Sequence, residues 1–201
     1  MHYVLMVSLL TSFVIGLNVF KILWTGDPNK ATLAKGIQQV FPTAEFVYLS
    51  AGYDFTTVAG LDKFRTTIKN YNVFVNASRI DFGVQQALLR IVREEWKAGH
   101  VFNIGSVVEY DHFNNLYPDV AKDKLELRKL SIGMCTEQFK TTHIVMGGIK
   151  DQSANSELKL DPIHVAKTIK WIVETNDIHV PIIGVENDYW NPEWSKIKCG
   201  S

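Results

Sequence analysis

The sequence predicts an α/β fold: a single three-layer domain whose parallel, doubly wound sheet is covered by helices on both faces. Three observations predict it. Short apolar runs alternate with longer stretches of helical period along most of the chain, the rhythm of βαβ units. Most apolar runs end in a glycine, serine or asparagine, so small residues collect where strands turn. Finally, 201 residues of 46% hydrophobic content suffice for one sheet covered on both sides, and no linker, repeat or low-complexity tract divides them.

In chain order, Val19–Thr25 reads as the first strand, ending at Gly26. A helix follows through Leu33, Ile37 and Val40 and closes at Phe41-Pro42. Glu45–Leu49 is a second strand, ending at Ser50-Ala51-Gly52, and Gly60–Ile68 carries either a short strand or a helix. Asn72–Val75 is a compact buried strand that runs into Asn76-Ala77-Ser78. Phe82–Trp96 is the clearest helix: Val84, Ala87, Leu88, Ile91, Val92 and Trp96 recur at helical spacing, and Gly99 follows as a stop. His100–Ile104 is another buried strand, ending at Gly105-Ser106. Asp119–Phe139 is helical, Thr142–Met146 is a strand ending at Gly147-Gly148, and Pro162–Glu174 is a helix. His179–Val185 is the last strand, where Pro181 suggests an edge position or an irregular start.

Composition narrows the function. Twenty-one basic residues balance 21 acidic ones, which argues against a nucleic-acid partner. Cys135 and Cys199 form no CxxC pair, and His100, His112, His143 and His164 show no ligand spacing, so neither a metal nor a disulfide framework is expected. A reducing cytoplasm is the simplest compartment. Met1–Phe20 carries no charged residue and matches the ~20 residues of a membrane span. It has no basic leader, however, and it abuts the first strand directly. Residues 1–18 therefore read as an extension (an anchor, a packed segment or a start-site artefact) ahead of a domain spanning 19–201.

In an open parallel sheet the ligand crevice lies at the carboxyl ends of the strands. There the sequence has Thr25-Gly26-Asp27-Pro28-Asn29-Lys30-Ala31-Thr32, Asn76-Ala77-Ser78, Asn103-Ile104-Gly105-Ser106 and Met146-Gly147-Gly148-Ile149, followed by Leu160-Asp161-Pro162 opening a late helix. In that order and spacing these segments resemble the short-chain dehydrogenase/reductase family over roughly Val19 to Glu186. The first stands where the family has T-G-x-x-x-G-x-G, but Lys30 and Thr32 replace two glycines. The resemblance implies a Rossmann-type fold and an NAD(P)-dependent oxidoreductase acting on a small carbonyl or alcohol.

By the same resemblance Ser106 orients the substrate oxygen and Lys124 is the lysine of the Tyr-x-x-x-Lys pair, which binds the nicotinamide ribose. Val120 falls at the tyrosine, leaving Tyr117, or alternatively Tyr110, as proton donor. Thr25, Gly26 and Lys30 would meet the phosphates; Asn76, Ala77 and Ser78 would line the adenine side; Gly147 and Gly148 would close over the nicotinamide. No acid ends the second strand, and with Ser50 and Lys30 there NADP is favoured over NAD. A homodimer or homotetramer would pair through Phe82–Trp96 and Asp119–Phe139. The alternative, which the lost glycines and Val120 favour, is a catalytically inactive nucleotide-binding, sensing or assembly domain, with or without a cofactor. The aromatic cluster Tyr189, Trp190 and Trp194 would cover an edge or meet a partner.

Overall fold

A computed structural model of the protein describes residues 20–78, 81–110, 117–149, 160–175 and 178–185. Six parallel strands, β1 (Ile22–Thr25), β2 (Glu45–Val47), β3 (Val73–Asn76), β4 (Gly99–Ile104), β5 (Phe139–Met146) and β6 (Ile182–Val185), lie side by side in the order β2-β1-β3-β4-β5-β6. Among the described residues, five α-helices connect them: α1 (Thr32–Val40), α2 (Val58–Ile68), α3 (Val84–Glu95), α4 (Pro118–Met134) and α5 (Pro162–Glu174). This is the Rossmann-type doubly wound architecture expected from the sequence.

Strand alternation sorts the apolar side chains into two cores. Ile22 and Trp24 of β1 pack with Val75, Phe102 and Ile144 beneath α1 and α5. Leu23 joins Phe74 and Val101 on the other face, beneath α2, α3 and α4. Each fully buried Leu, Ile or Phe contributes roughly 1.5–3 kcal/mol of transfer free energy. The α1–α5 contact depends on Gly36, where a Cβ would stand 2.8 Å from the carbonyl oxygen of Pro162. That glycine, too late in sequence for the phosphate turn, serves helix packing instead.

Gly60–Ile68 takes the helical alternative: Thr57 caps α2 by accepting from the Gly60 N–H at 3.2 Å. Several boundaries differ from the sequence reading. β2 stops at Val47, and Leu49–Ala51 forms a 3-10 turn. The helix expected over Asp119–Phe139 ends at Met134, because Thr136 reverses the chain, donating its N–H to the Phe139 carbonyl at 2.8 Å and accepting from the Phe139 N–H at 3.0 Å. β5 consequently begins three residues early, at buried Phe139. Among the described residues β6 stands at one end of the sheet. Among the described residues no helix is long and apolar enough to cross a membrane. The extension over 1–18 and the cluster of Tyr189, Trp190 and Trp194 lie outside the described residues.

Candidate functional site

From β1 the chain passes to β2 on one side and then crosses to β3 on the other, which opens a crevice at the carboxyl ends of β1 and β3. Thr25 pins the two strands there: its buried Oγ1 accepts from the Ala77 N–H at 2.7 Å and donates to the Val75 carbonyl at 3.4 Å. Gly26 then turns with a φ of 143°, which excludes most side-chain-bearing residues. The next turn is closed by Asp27, whose carboxylate accepts from the Asn29 N–H at 2.9 Å. Its carbonyl accepts from the N–H groups of Lys30 at 3.1 Å and Ala31 at 2.8 Å. The main-chain donors that a glycine-rich loop offers to phosphate are here taken up within the loop. Lys30 stands 80% exposed, 3.9 Å from Asp27.

Across the crevice a buried polar network joins β3, β4, α3 and α4. Asn76, Asn103 and His143 are register partners on successive strands. Asn76 Nδ2 donates to Asn103 Oδ1 at 2.9 Å and to the Gln85 carbonyl at 2.8 Å. Gln85 Nε2 donates to the carbonyls of Asn76 at 2.6 Å and Ile104 at 3.1 Å. Asn103 Nδ2 donates to Ser131 Oγ of α4 at 3.0 Å. Lys124, also on α4, is buried; its ammonium donates to Gln85 Oε1 and to the Ile104 carbonyl at 3.4 Å. Sequence periodicity makes this lysine a solvated surface residue, but α4 turns Ala121, Lys124, Leu127 and Ser131 together toward the sheet.

Ser106 begins a 3-10 turn with a reciprocal cap. Its Oγ accepts from the Val108 N–H at 3.4 Å, while its own N–H donates to Glu109 Oε1 at 2.8 Å. The Glu109 side chain is fully buried and meets His143 Nε2 at 2.9 and 3.1 Å, with Arg128 Nη1 of α4 at 3.6 Å. Gly105 makes room for the pair: a Cβ there would collide with both Glu109 Oε1 and His143 Nε2. Sequence reasoning passed over Glu109, Gln85, Arg128 and Ser131, since single polar residues inside helical patterns carry no signal of what they meet. The reciprocal cap was the one local clue to Glu109.

The remaining expected site residues are more dispersed. Val120, one turn before Lys124, is half-buried. Tyr117 precedes α4, 59% exposed, about 10 Å along the helix axis from Lys124 at 1.5 Å per residue. The Tyr110 hydroxyl faces β6, 3.9 Å from where a Cβ on Gly184 would lie. Ser50 is exposed in the turn after β2. Gly147 donates its N–H to the Val185 carbonyl at 3.2 Å, and the Gly148 carbonyl accepts from the Leu160 N–H at 2.8 Å. Both glycines thus close the carboxyl ends of β5 and β6. Among the described residues no group of three His, Cys, Asp or Glu side chains could hold a metal ion.

The resemblance read from the sequence implies a nicotinamide dinucleotide, and two buried polar atoms test whether the crevice suits one. Trp24 Nε1, at the end of β1, and Ser78 Oγ, just past β3, have no hydrogen-bond partner, although Trp24 is 1% and Ser78 7% exposed. Buried donors without partners are rare in folded proteins and costly to leave unmade. The Trp24 N–H edge lies beside Gly26, where a donor suits a ligand rich in acceptor oxygens. The residues present therefore fit the group.

No protein-family model and no curated protein sequence matches the chain. Solved structures do. A short-chain dehydrogenase from Leptospira borgpetersenii with bound NAD+ aligns with a TM-score of 0.66 at 12% identity, covering 86% of this chain and 94% of that one. The apo-form glucose dehydrogenase of Caenorhabditis elegans aligns at 0.64 and 15% identity, covering 82% and 95%. The 3-alpha-hydroxysteroid dehydrogenase from Pseudomonas sp. B-0831, complexed with NADH, aligns at 0.62 and 11% identity, covering 90% and 99%. At these identities the likeness is one of architecture, and it agrees with the order of strand ends along the crevice: the chain has the short-chain dehydrogenase/reductase fold.

Proposed function

We propose that the chain binds a nicotinamide dinucleotide in the crevice between β1 and β3 and acts as an NAD(P)-dependent oxidoreductase on a small carbonyl or alcohol. The burial of Lys124 carries this reading. A lysine withdrawn from water needs a reason, and this one brings its ammonium to the Ile104 carbonyl, two residues before Ser106. Thr25, Gly26, Asn76, Ala77 and Ser78 would hold the dinucleotide across the crevice, with Gly147 and Gly148 at its far end and Lys124 on the ribose. Lys30 and Ser50 are exposed and no acid ends β2, which favours NADPH over NADH. When bound, a nicotinamide supplies or accepts the hydride. The Ser106 hydroxyl accepts from Val108, which leaves its own proton to hold the substrate oxygen. Tyr117, exposed beside α4, supplies the proton, with Tyr110 as the second choice. Pairing of two copies through α3 and α4 and a cytoplasmic location belong to the same reading.

A second reading, a non-catalytic binding or sensing domain, is favoured by the self-satisfied turn at Asp27 and by the distance of Tyr117 from Lys124. Titration of the purified protein with NADPH and NADH, followed by nucleotide fluorescence and thermal stabilisation, separates the two. Tighter binding of NADPH is expected, and binding of neither nucleotide would refute the oxidoreductase. Binding without turnover over a broad carbonyl panel would establish the second reading. Given turnover, Ser106→Ala and Tyr117→Phe should each slow it by roughly 10²–10⁴-fold. A rate unchanged by these and by Tyr110→Phe would remove those residues from the site.

A further inference from the structure

The turn after β1 poses a physical problem for any anionic ligand, and Trp24 offers a solution to it. Asp27 has taken the N–H groups of Asn29, Lys30 and Ala31, so the turn itself has little left to donate. Two sources of donors remain beside it. The first turn of α1 is uncapped, because Ala31 at its N-cap brings no side-chain oxygen. The indole of Trp24, packed beneath α1, has its N–H edge against the turn. A Cβ built on Gly26 would lie 3.0 Å from Nε1 and 3.6 Å from Cδ1, and Ala31 Cβ is 3.7 Å from the same point. Nε1 has no partner, and the side chain is 1% exposed.

A phenylalanine would fill much of that core position without burying a donor. The indole N–H is therefore the feature to explain, and it sits where Gly26 and the start of α1 meet.

We propose that the Trp24 indole N–H, with the uncapped first turn of α1, supplies the hydrogen bonds to the dinucleotide's pyrophosphate that the main chain of the turn cannot. The inference rests on the reading of the crevice as a dinucleotide site and names the residue that replaces the missing glycine cradle. The indole donor is neutral and fixed by core packing, so it adds a directed hydrogen bond to an anionic oxygen without a rotamer to order. The helix terminus adds the favourable end of its dipole. Gly26 is then required twice, for its φ of 143° and because a Cβ would crowd the N–H edge.

The test uses the full chain and NADPH. Trp24→Phe keeps a ring in the core and deletes the donor; affinity measured by calorimetry should fall roughly tenfold to hundredfold, the worth of a hydrogen bond to a charged acceptor. In protein labelled with 15N on its indoles, the Trp24 Nε1–H resonance should move downfield on addition of NADPH. Should the variant not fold, that resonance is assigned by replacing Trp96, Trp171, Trp190 and Trp194 in turn, and the measurement is made on the native side chain. An unchanged affinity, or an indole resonance indifferent to NADPH, would overturn the role of Trp24 while leaving the dinucleotide reading intact. Binding of no nucleotide by the unaltered protein would overturn both. A tryptophan that only packs would lower the melting midpoints of free and loaded protein alike and leave affinity and resonance where they are.

Discussion

The turn that follows β1 and the network across the crevice satisfy their polar groups in opposite ways. On the β1 side, Asp27 meets partners two to four residues further on, at Asn29, Lys30 and Ala31. On the β3–β4 side, Asn76 meets Asn103, Gln85 meets Lys124, and Glu109 meets His143, partners 27, 39 and 34 residues apart. A local turn can exchange its hydrogen bonds without moving the rest of the fold. A network of distant partners cannot, because each bond also fixes a helix or strand against another. The first side is therefore free to vary its ligand chemistry, whereas the second holds α3 and α4 in register with the sheet.

The sharpest way to break this contrast is at Glu109. Glu109→Ala strands the buried His143 imidazole and the Ser106 N–H and should cost about 3–5 kcal/mol in denaturant unfolding. Glu109→Gln, which retains an acceptor for Ser106, should cost less. A loss no larger than the ~0.5 kcal/mol of ordinary surface substitutions would mean that this side is not held by its network. On the other side, Asp27→Ala should cost only about 0.5–1.5 kcal/mol. It also frees the Asn29 N–H and removes a negative charge, so NADPH affinity should rise; a fall would show that the Asp27 turn itself forms part of the site. The last effect, negligible at neutral pH, belongs to the opposite end of the sheet. Burial, with Lys140 and His179 adding to it, pushes the His100 pKa down to about 3, so the ring is neutral in the folded protein. The unfolded chain binds that proton first, below its ordinary value near 6.5. Stability should therefore be full above pH ~6.5 and decline as the pH falls toward 3, and His100→Gln should flatten that decline in melting curves without altering nucleotide binding.

Much of the architecture was legible in the residues. The strands around Phe74, Phe102 and Ile144 are apolar runs bounded by turn residues, and such runs in a βαβ rhythm leave little choice of fold. Pro181 pointed to an edge or an irregular start, and among the described residues β6 begins just after it, at one end of the sheet. The inner face of α4 was not legible, because it contains Lys124 and Ser131 among its buried positions while Ile132 is 46% exposed. An apolar count points such a helix the wrong way. The end of α4 was missed for a related reason: Thr136 stops it through a side-chain hydrogen bond to Phe139 that leaves no glycine or proline signature. Of the candidate site, Thr25, Gly26, Asn76, Ser106 and Lys124 could be found by their places at strand ends and on the following helix. Glu109 and Gln85 could not, since their meaning lies wholly in distant partners.

The sequence by itself determined the layers and the parallel sheet. Those follow from period and from turn residues, which act over a few positions and need no knowledge of the rest. Only the tertiary structure decided that the Trp24 N–H is left without a partner beside Gly26, and that Lys124 is buried on Gln85 and Ile104. Each of these is a matter of which polar group reaches which, in a space where an unmet donor costs more than a hydrogen bond contributes. That accounting can be made only after the distant segments have met.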